Sequence, residues 1–156
     1  MSDVFASGNL IRIKDFQFEN GNTRDKYLFV LLRNDGAAYV ISSLTTSRNK
    51  LNVNATRSGC YHDSRTSTYY HFSAGEALGD GNFSFDKETY VFFRENVRKL
   101  ELADLTNYAS ATDPFAVAAI TTLKNEELKK LLQCVVSSTF TPEDLKAELT
   151  AFKDIL

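Results

Sequence analysis

Between Gly8 and Lys50, three apolar runs alternate with short polar punctuation, and this pattern limits the fold more than any other feature of the chain. The runs are Leu10 to Phe18, Tyr27 to Leu32 and Ala37 to Leu44, separated by Asn20-Gly21-Asn22 and Asn34-Asp35-Gly36. β-Branched and aromatic side chains bounded by Asn, Asp and Gly predict strands joined by turns. Asn34-Asp35-Gly36 is the stronger hairpin signal, because these residues accept positive φ at low cost. The expected opening is a three-stranded antiparallel meander. Its first strand alternates, with Arg12 and Lys14 reaching solvent. Its second, Tyr27 to Leu32, is apolar throughout and fits a central strand covered on both faces.

Further along, Leu51 to Asn54 reads as a short strand, Ala55 to Thr68 as loop, and Tyr69 to Phe72 as a strand. Ala74 to Asn82 is a glycine-rich connection without the layout of a phosphate-binding loop, which excludes nucleotide binding there. Thr89 to Phe93 is a strong strand and Val97 to Leu102 alternates like another. The period then changes. Asp113-Pro114 predicts a helix start for the alanine-rich segment Phe115 to Leu123. Leu128, Leu131, Leu132, Val135 and Val136 form a helical stripe. Thr141-Pro142-Glu143-Asp144 reads as a helix N-terminus with a hydroxyl cap, followed by Leu145, Leu149, Phe152 and Leu156 on one face. Strands first and helices last predict an α+β domain: a small, strongly bent antiparallel sheet or β-barrel, then two or three C-terminal helices. The expected organisation is a single domain over 1–156, with a β core at about 8–102 and a helical part at about 113–156. If a boundary exists, it falls in Asn107 to Asp113.

A net charge of −2 gives no global nucleic-acid signature. The charge is uneven, however. From Thr45 to Ser73 there are four basic residues, Arg48, Lys50, Arg57 and Arg65, against Asp63 alone. Such a loop either steers a phosphate backbone or is simply a solvated polar surface. The two cysteines, Cys60 and Cys134, make no disulfide framework and have no metal spacing. The N-terminus lacks a secretory pattern, and no apolar run approaches the roughly 18 residues of a membrane span. The expected setting is cytoplasmic, with free thiols and no membrane contact. No Gly-x-Ser-x-Gly, His-Glu-x-x-His or carboxylate cluster is present, so no cofactor or metal is expected.

The N-terminal third resembles the MazF/PemK/Kid-type toxin superfamily. Gly8-Asn9-Leu10-Ile11 matches that family's opening strand, Tyr27-Leu28-Phe29-Val30-Leu31 its second, and Val40-Ile41-Ser42-Ser43-Leu44-Thr45-Thr46-Ser47 its third. Order and spacing carry the likeness, and the remainder of the chain matches weakly. The tail and the stretch from Thr46 to Thr89 are longer than is usual in the family. The resemblance implies an SH3-like barrel, usually a homodimer, that cleaves single-stranded RNA and is neutralised by an antitoxin protein. It also implies a metal-independent reaction, in which the RNA's 2′-hydroxyl attacks the adjacent phosphate. The protein then supplies a base, a cation for the phosphorane and an acid for the leaving oxygen. The family's strand-ending hydroxyl matches Thr45, with Thr46, Ser47, Arg48, Lys50, Arg57 and Arg65 as candidate RNA contacts. The family's arginine at the start of the second strand is replaced by Lys26, and its proline by Tyr27. Arg24 is the nearest arginine. Lysine keeps the charge but loses the planar fork that grips phosphate in two places.

His62 and His71 are the side chains able to titrate near neutrality, and both are candidates for acid–base work. Tyr61, Tyr69, Tyr70 and Phe72 interleave with cations and either stack RNA bases or fill a core. Two other readings stand beside the ribonuclease. One is a non-catalytic binding or regulatory module that kept the fold and lost the arginine. The other is a small β-barrel protein-interaction domain using its helices.

Overall fold

A computed structural model describes residues 4–17, 23–42, 44–45, 57–63, 67–93, 97–103 and 117–156; for 14–17, 23–26, 42, 44–45, 63 and 67 it describes the backbone alone. The alternating runs of the N-terminal third form the expected meander: β1 (Asn9–Gln17), β2 (Thr23–Arg33) and β3 (Ala37–Ser42). Leu10 lies opposite Phe29, and Val30 opposite Val40. At the second turn the Asn34 side-chain oxygen accepts from the amides of Gly36 (3.1 Å) and Ala37 (2.9 Å). A side chain there satisfies backbone donors that the turn leaves unpaired.

The chain continues through β4 (Leu44–Thr45), β5 (Gly59–Asp63), β6 (Ser67–Phe72), β7 (Thr89–Phe92), β8 (Val97–Glu101) and β9 (Val117–Thr122). Two helices follow, α1 (Asn125–Ser137) and α2 (Glu143–Asp154). The architecture is α+β, as strands-then-helices predicts. Among the described residues the strands form two open sheets rather than one closed barrel. Their orders are β8-β3-β2-β1-β9 and β4-β7-β6-β5.

The centre of the five-stranded sheet is buried on both faces, which is why the Leu28–Leu31 run of β2 is apolar. Leu10, Phe29, Leu31, Tyr39 and Ile41 pack toward Phe72, Val91 and Phe93 of the second sheet region and toward Leu128, Leu131, Leu132, Val135 and Leu149 of the helices. Ile11, Ile13, Leu28, Val30 and Val40 fill the other face, with Phe5 over them. Gly8 sets the entry to β1. Its φ of +90° suits glycine. Its amide donates to Val30 O at 2.7 Å and its carbonyl accepts from Leu123 N at 2.9 Å.

Four expectations need correction. The alanine-rich composition of 115–123 predicts a helix, but Val117–Thr122 is β9, antiparallel to β1. Alanine is the best helix former, but intrinsic propensity is a weak prior, and the open edge of β1 offers a whole ladder of hydrogen bonds that overrides it. The supposed loop 55–68 contains β5, paired with β6 from Gly59↔His71 to Asp63↔Ser67. Its Gly-Cys-Tyr-His-Asp sequence is too polar to read as a strand. The Thr141 hydroxyl does not cap α2 but donates to Val135 O at 2.7 Å, closing the end of α1. Finally, the cysteines are not free: Cys60 of β5 and Cys134 of α1 form a disulfide, with Cα atoms 5.5 Å apart. A separation of 74 residues carries no spacing signal, so only the fold brings them together. The Leu51–Asn54 strand, the 107–113 boundary and Asp113-Pro114 lie outside the described residues. Among the described residues no helix is long and apolar enough to cross a membrane.

Candidate functional site

The register of the meander decides which strand ends meet. Leu28 pairs with Ser42, so the Lys26-Tyr27 stretch of β2 and the exit of β3 lie at the same end of the sheet. The chain then passes into β4, where Leu44 pairs with Tyr90 and Thr45 with Thr89 of β7. Just ahead of β7 runs the segment 83–87. Phe85 anchors it: the ring is buried and lies edge-on to Phe29 (centroids 6.3 Å) and Phe83 (5.3 Å). The Thr89 hydroxyl donates to the Lys87 carbonyl at 3.1 Å and holds the approach to β7.

Between Tyr27 and the 83–87 segment is a cleft of about 320 Å³, lined by Leu10, Tyr27, Phe83, Ser84, Phe85, Asp86, Lys87 and Ile120. Tyr27 and Ile120 are large apolar groups left partly open to solvent at its walls. Asp86 and Lys87 are exposed, so the cleft carries a carboxylate and an ammonium next to aromatic surface. Arg12 of β1 pairs with Tyr27, which lines the cleft. Its Nε is buried and has no hydrogen-bond partner among the described residues, so Arg12 does not simply reach solvent as expected.

None of the sequence candidates whose side chains are described lines this cleft. Lys26 lies opposite Ile13 and Arg24 opposite Phe16 on the β1–β2 ladder, and Thr45 is at the β4–β7 pairing. Their side chains lie outside the described residues, as do Thr46, Ser47, Arg48, Lys50 and Arg65 altogether. Arg57 is exposed, and its carbonyl accepts from the Tyr61 hydroxyl at 3.0 Å.

Neither histidine lines the cleft. In the second sheet His71 is on β6 and His62 on the far edge strand β5, two and three strands along from Thr45's β4. His71 is fully buried. Its Nδ1 is 2.8 Å from Arg57 O, which only an N–H can satisfy, and its ring stacks on Tyr90 at 4.9 Å. The Nε2 faces Glu88 at 3.6 Å. His62 is exposed, with Nδ1 3.3 Å from Thr68 Oγ1 and Nε2 3.7 Å from Cys60 Sγ. Burial, followed by the nearby Glu88 carboxylate, raises the Tyr90 phenol pKa above its ordinary value.

The aromatic set divides between the faces of β6. Tyr70 and Phe72 enter the main core. Tyr69 belongs to a separate cluster with Tyr61, Tyr90 and Phe92, where Tyr61 stacks on Tyr69 at 5.3 Å. Sequence reasoning missed Arg12, Asp86 and Lys87. One signal existed for Arg12: alternation puts it on the same face as Leu10, an inward position for a cation. Asp86 and Lys87 carry no motif and become notable only once the strands converge. Comparison with protein-family profiles, curated proteins and solved structures finds no match.

Proposed function

We propose that this chain is a metal-independent, toxin-like endoribonuclease of the MazF/PemK/Kid type, and that single-stranded RNA binds in the cleft beside Tyr27 and Lys87. The observation that carries this reading is the cleft at which Tyr27, next to Lys26 at the β3-exit end of the sheet, meets the 83–87 segment. In this reading Tyr27 and Phe83 offer faces to unstacked bases. Arg12, Lys26 and Lys87 draw in the phosphate and neutralise the phosphorane. Arg12 supplies the planar guanidinium that the second strand lacks. Asp86 takes the proton of the attacking 2′-hydroxyl, and the Thr45 hydroxyl donates to a non-bridging oxygen. Lys87 or Lys26 protonates the leaving 5′-oxygen. The products are a 2′,3′-cyclic phosphate and a 5′-hydroxyl. A homodimer, an antitoxin that fills the cleft and a cytoplasmic setting complete the proposal.

The position of both histidines away from the cleft favours one other reading, RNA binding without cleavage. One experiment separates the two. The purified protein is incubated with unstructured RNA in EDTA, alongside Thr45→Ala and Lys87→Ala. The ribonuclease reading expects cyclic-phosphate ends, with a rate loss of about 100-fold in Thr45→Ala, typical of removing one transition-state donor. RNA retained on the protein without cleavage from about pH 5 to 9, the span where histidine titrates, supports the binding module. Absence of both binding and cleavage overturns the pair.

A further inference from the structure

The disulfide opens onto a second cavity, which shares no lining residue with the cleft. It has a volume of about 770 Å³ and lies between β5, α1 and α2. This is the size of a small-molecule site, for which roughly 300–1,000 Å³ is usual. Cys60, His62, Tyr70, Lys129, Lys130 and Lys153 line it. The two sulfur-bearing residues are unequal. Cys60 is exposed on the edge strand, whereas Cys134 is 1% exposed on the inner face of α1. An incoming nucleophile therefore meets Cys60 first. His62 Nε2 lies 3.7 Å from Cys60 Sγ.

The charges of the lining also differ in sign. Lys129, Lys130 and Lys153 face the cavity against the Glu126 carboxylate. Lys130 is also 3.6 Å from Glu127, and Lys153 is 3.6 Å from Asp154. Lys153 donates to Gln133 at 2.7 Å, and Lys129 to Leu156 O at 3.3 Å. An occupant that suits these walls has an apolar stem, a reactive sulfur and carboxylates.

We propose that Cys60 is a thiol-exchange site, which forms a mixed disulfide with a small anionic thiol of the glutathione class seated in this cavity. The incoming thiolate attacks Cys60 Sγ. A new sulfur–sulfur bond forms to Cys60, and the Cys60–Cys134 bond breaks. The electron pair leaves on Cys134, whose thiolate takes a proton from water. One thiolate and one proton are consumed, giving the Cys60 mixed disulfide and a Cys134 thiol. A second thiolate attacking the adduct's outer sulfur releases Cys60 as a thiolate beside His62.

The test treats the oxidised protein with glutathione, with neutral 2-mercaptoethanol and with cationic cysteamine. Rates are corrected for thiolate fraction and read by intact mass and peptide mapping. The expected adduct is on Cys60. Glutathione is expected to react about tenfold faster than cysteamine at low ionic strength, the scale of electrostatic focusing. Salt and Lys129→Glu should both erase that preference. An adduct on Cys134, or equal rates for the anionic and cationic thiols, overturns the proposal. Cys134→Ser supplies an independent arm with a free Cys60 thiol. Treated with oxidised glutathione, it should gain the same adduct and show the same salt dependence; no adduct there also overturns the proposal.

Discussion

The Tyr39 hydroxyl donates to the Glu148 carboxylate, joining a fully buried ring of β3 to the middle of α2. Lys99 of β8 lies over the same ring, with its Nζ 5.5 Å from the centroid. One phenol thus links the third strand of the N-terminal meander to the last helix. Tyr39→Phe keeps the ring and removes the bond to a charged acceptor. The expected loss is about 1–2 kcal/mol, because the carboxylate is partly solvated. Urea denaturation of the variant against the parent measures it, and an unchanged midpoint would show that the contact adds nothing.

Gly79 allows two backbones to approach. It makes a bridge to Leu123, while Lys124 N donates to Leu78 O at 3.1 Å. A Cβ at Gly79 would land on the Thr121 side chain and 3.2 Å from Thr122 O. Gly79→Ala should therefore destabilise by about 1–3 kcal/mol, the usual cost of overpacking. Thermal melting provides the comparison, with Gly36→Ala as a control, because nothing lies within 4 Å of a Cβ there.

Tyr70 should make the fold sensitive to alkali. Burial first, then the carboxylates of Glu127 and Glu76, raise its phenol pKa above the ordinary 10.0. The unfolded phenol ionises near pH 10 while the folded one stays protonated. Ionisation thus favours the unfolded chain. This stability is fully present below about pH 10 and is lost as pH rises toward the folded value. Melting temperatures should fall above about pH 10, and less steeply in Tyr70→Phe than in the parent. Equal slopes would count against the shift.

The Cys60–Cys134 bond ties the edge strand β5 to α1 across 74 residues. Closing a loop of that size removes freedom from the unfolded chain, and such links are typically worth about 2–4 kcal/mol. Cys60→Ser should lose that amount in guanidinium denaturation. Adding reductant should bring the parent to the same midpoint and leave the variant unmoved. A reductant effect on the variant would place the sensitivity elsewhere.

The meander was legible because every local signal agreed: apolar runs, turn residues and spacing all describe the same three strands. Helices α1 and α2 were legible from their stripes. What escaped depends on partners. Val117–Thr122 became a strand because β1 had an open edge, a fact stored a hundred residues away rather than in Ala118 and Ala119. Gly59–Asp63 is a strand by virtue of pairing with β6, and the disulfide depends in turn on that pairing. The cleft was not legible. Its Asp86 and Lys87 carry no motif and gain meaning from Phe85 anchoring them beside Tyr27.

The pairing of β1 with β9 sets a timetable for synthesis. Asn9 faces Thr122, made 113 residues later, and the Thr122 hydroxyl donates to the Asn9 side chain at 2.7 Å. At ordinary elongation rates the growing chain spends on the order of ten seconds with the β9-facing edge of β1 uncovered. An uncovered edge recruits whatever strand is nearest, including one on a neighbouring nascent chain. For this protein the hazardous interval falls on the ribosome, before β9 emerges to cover that edge.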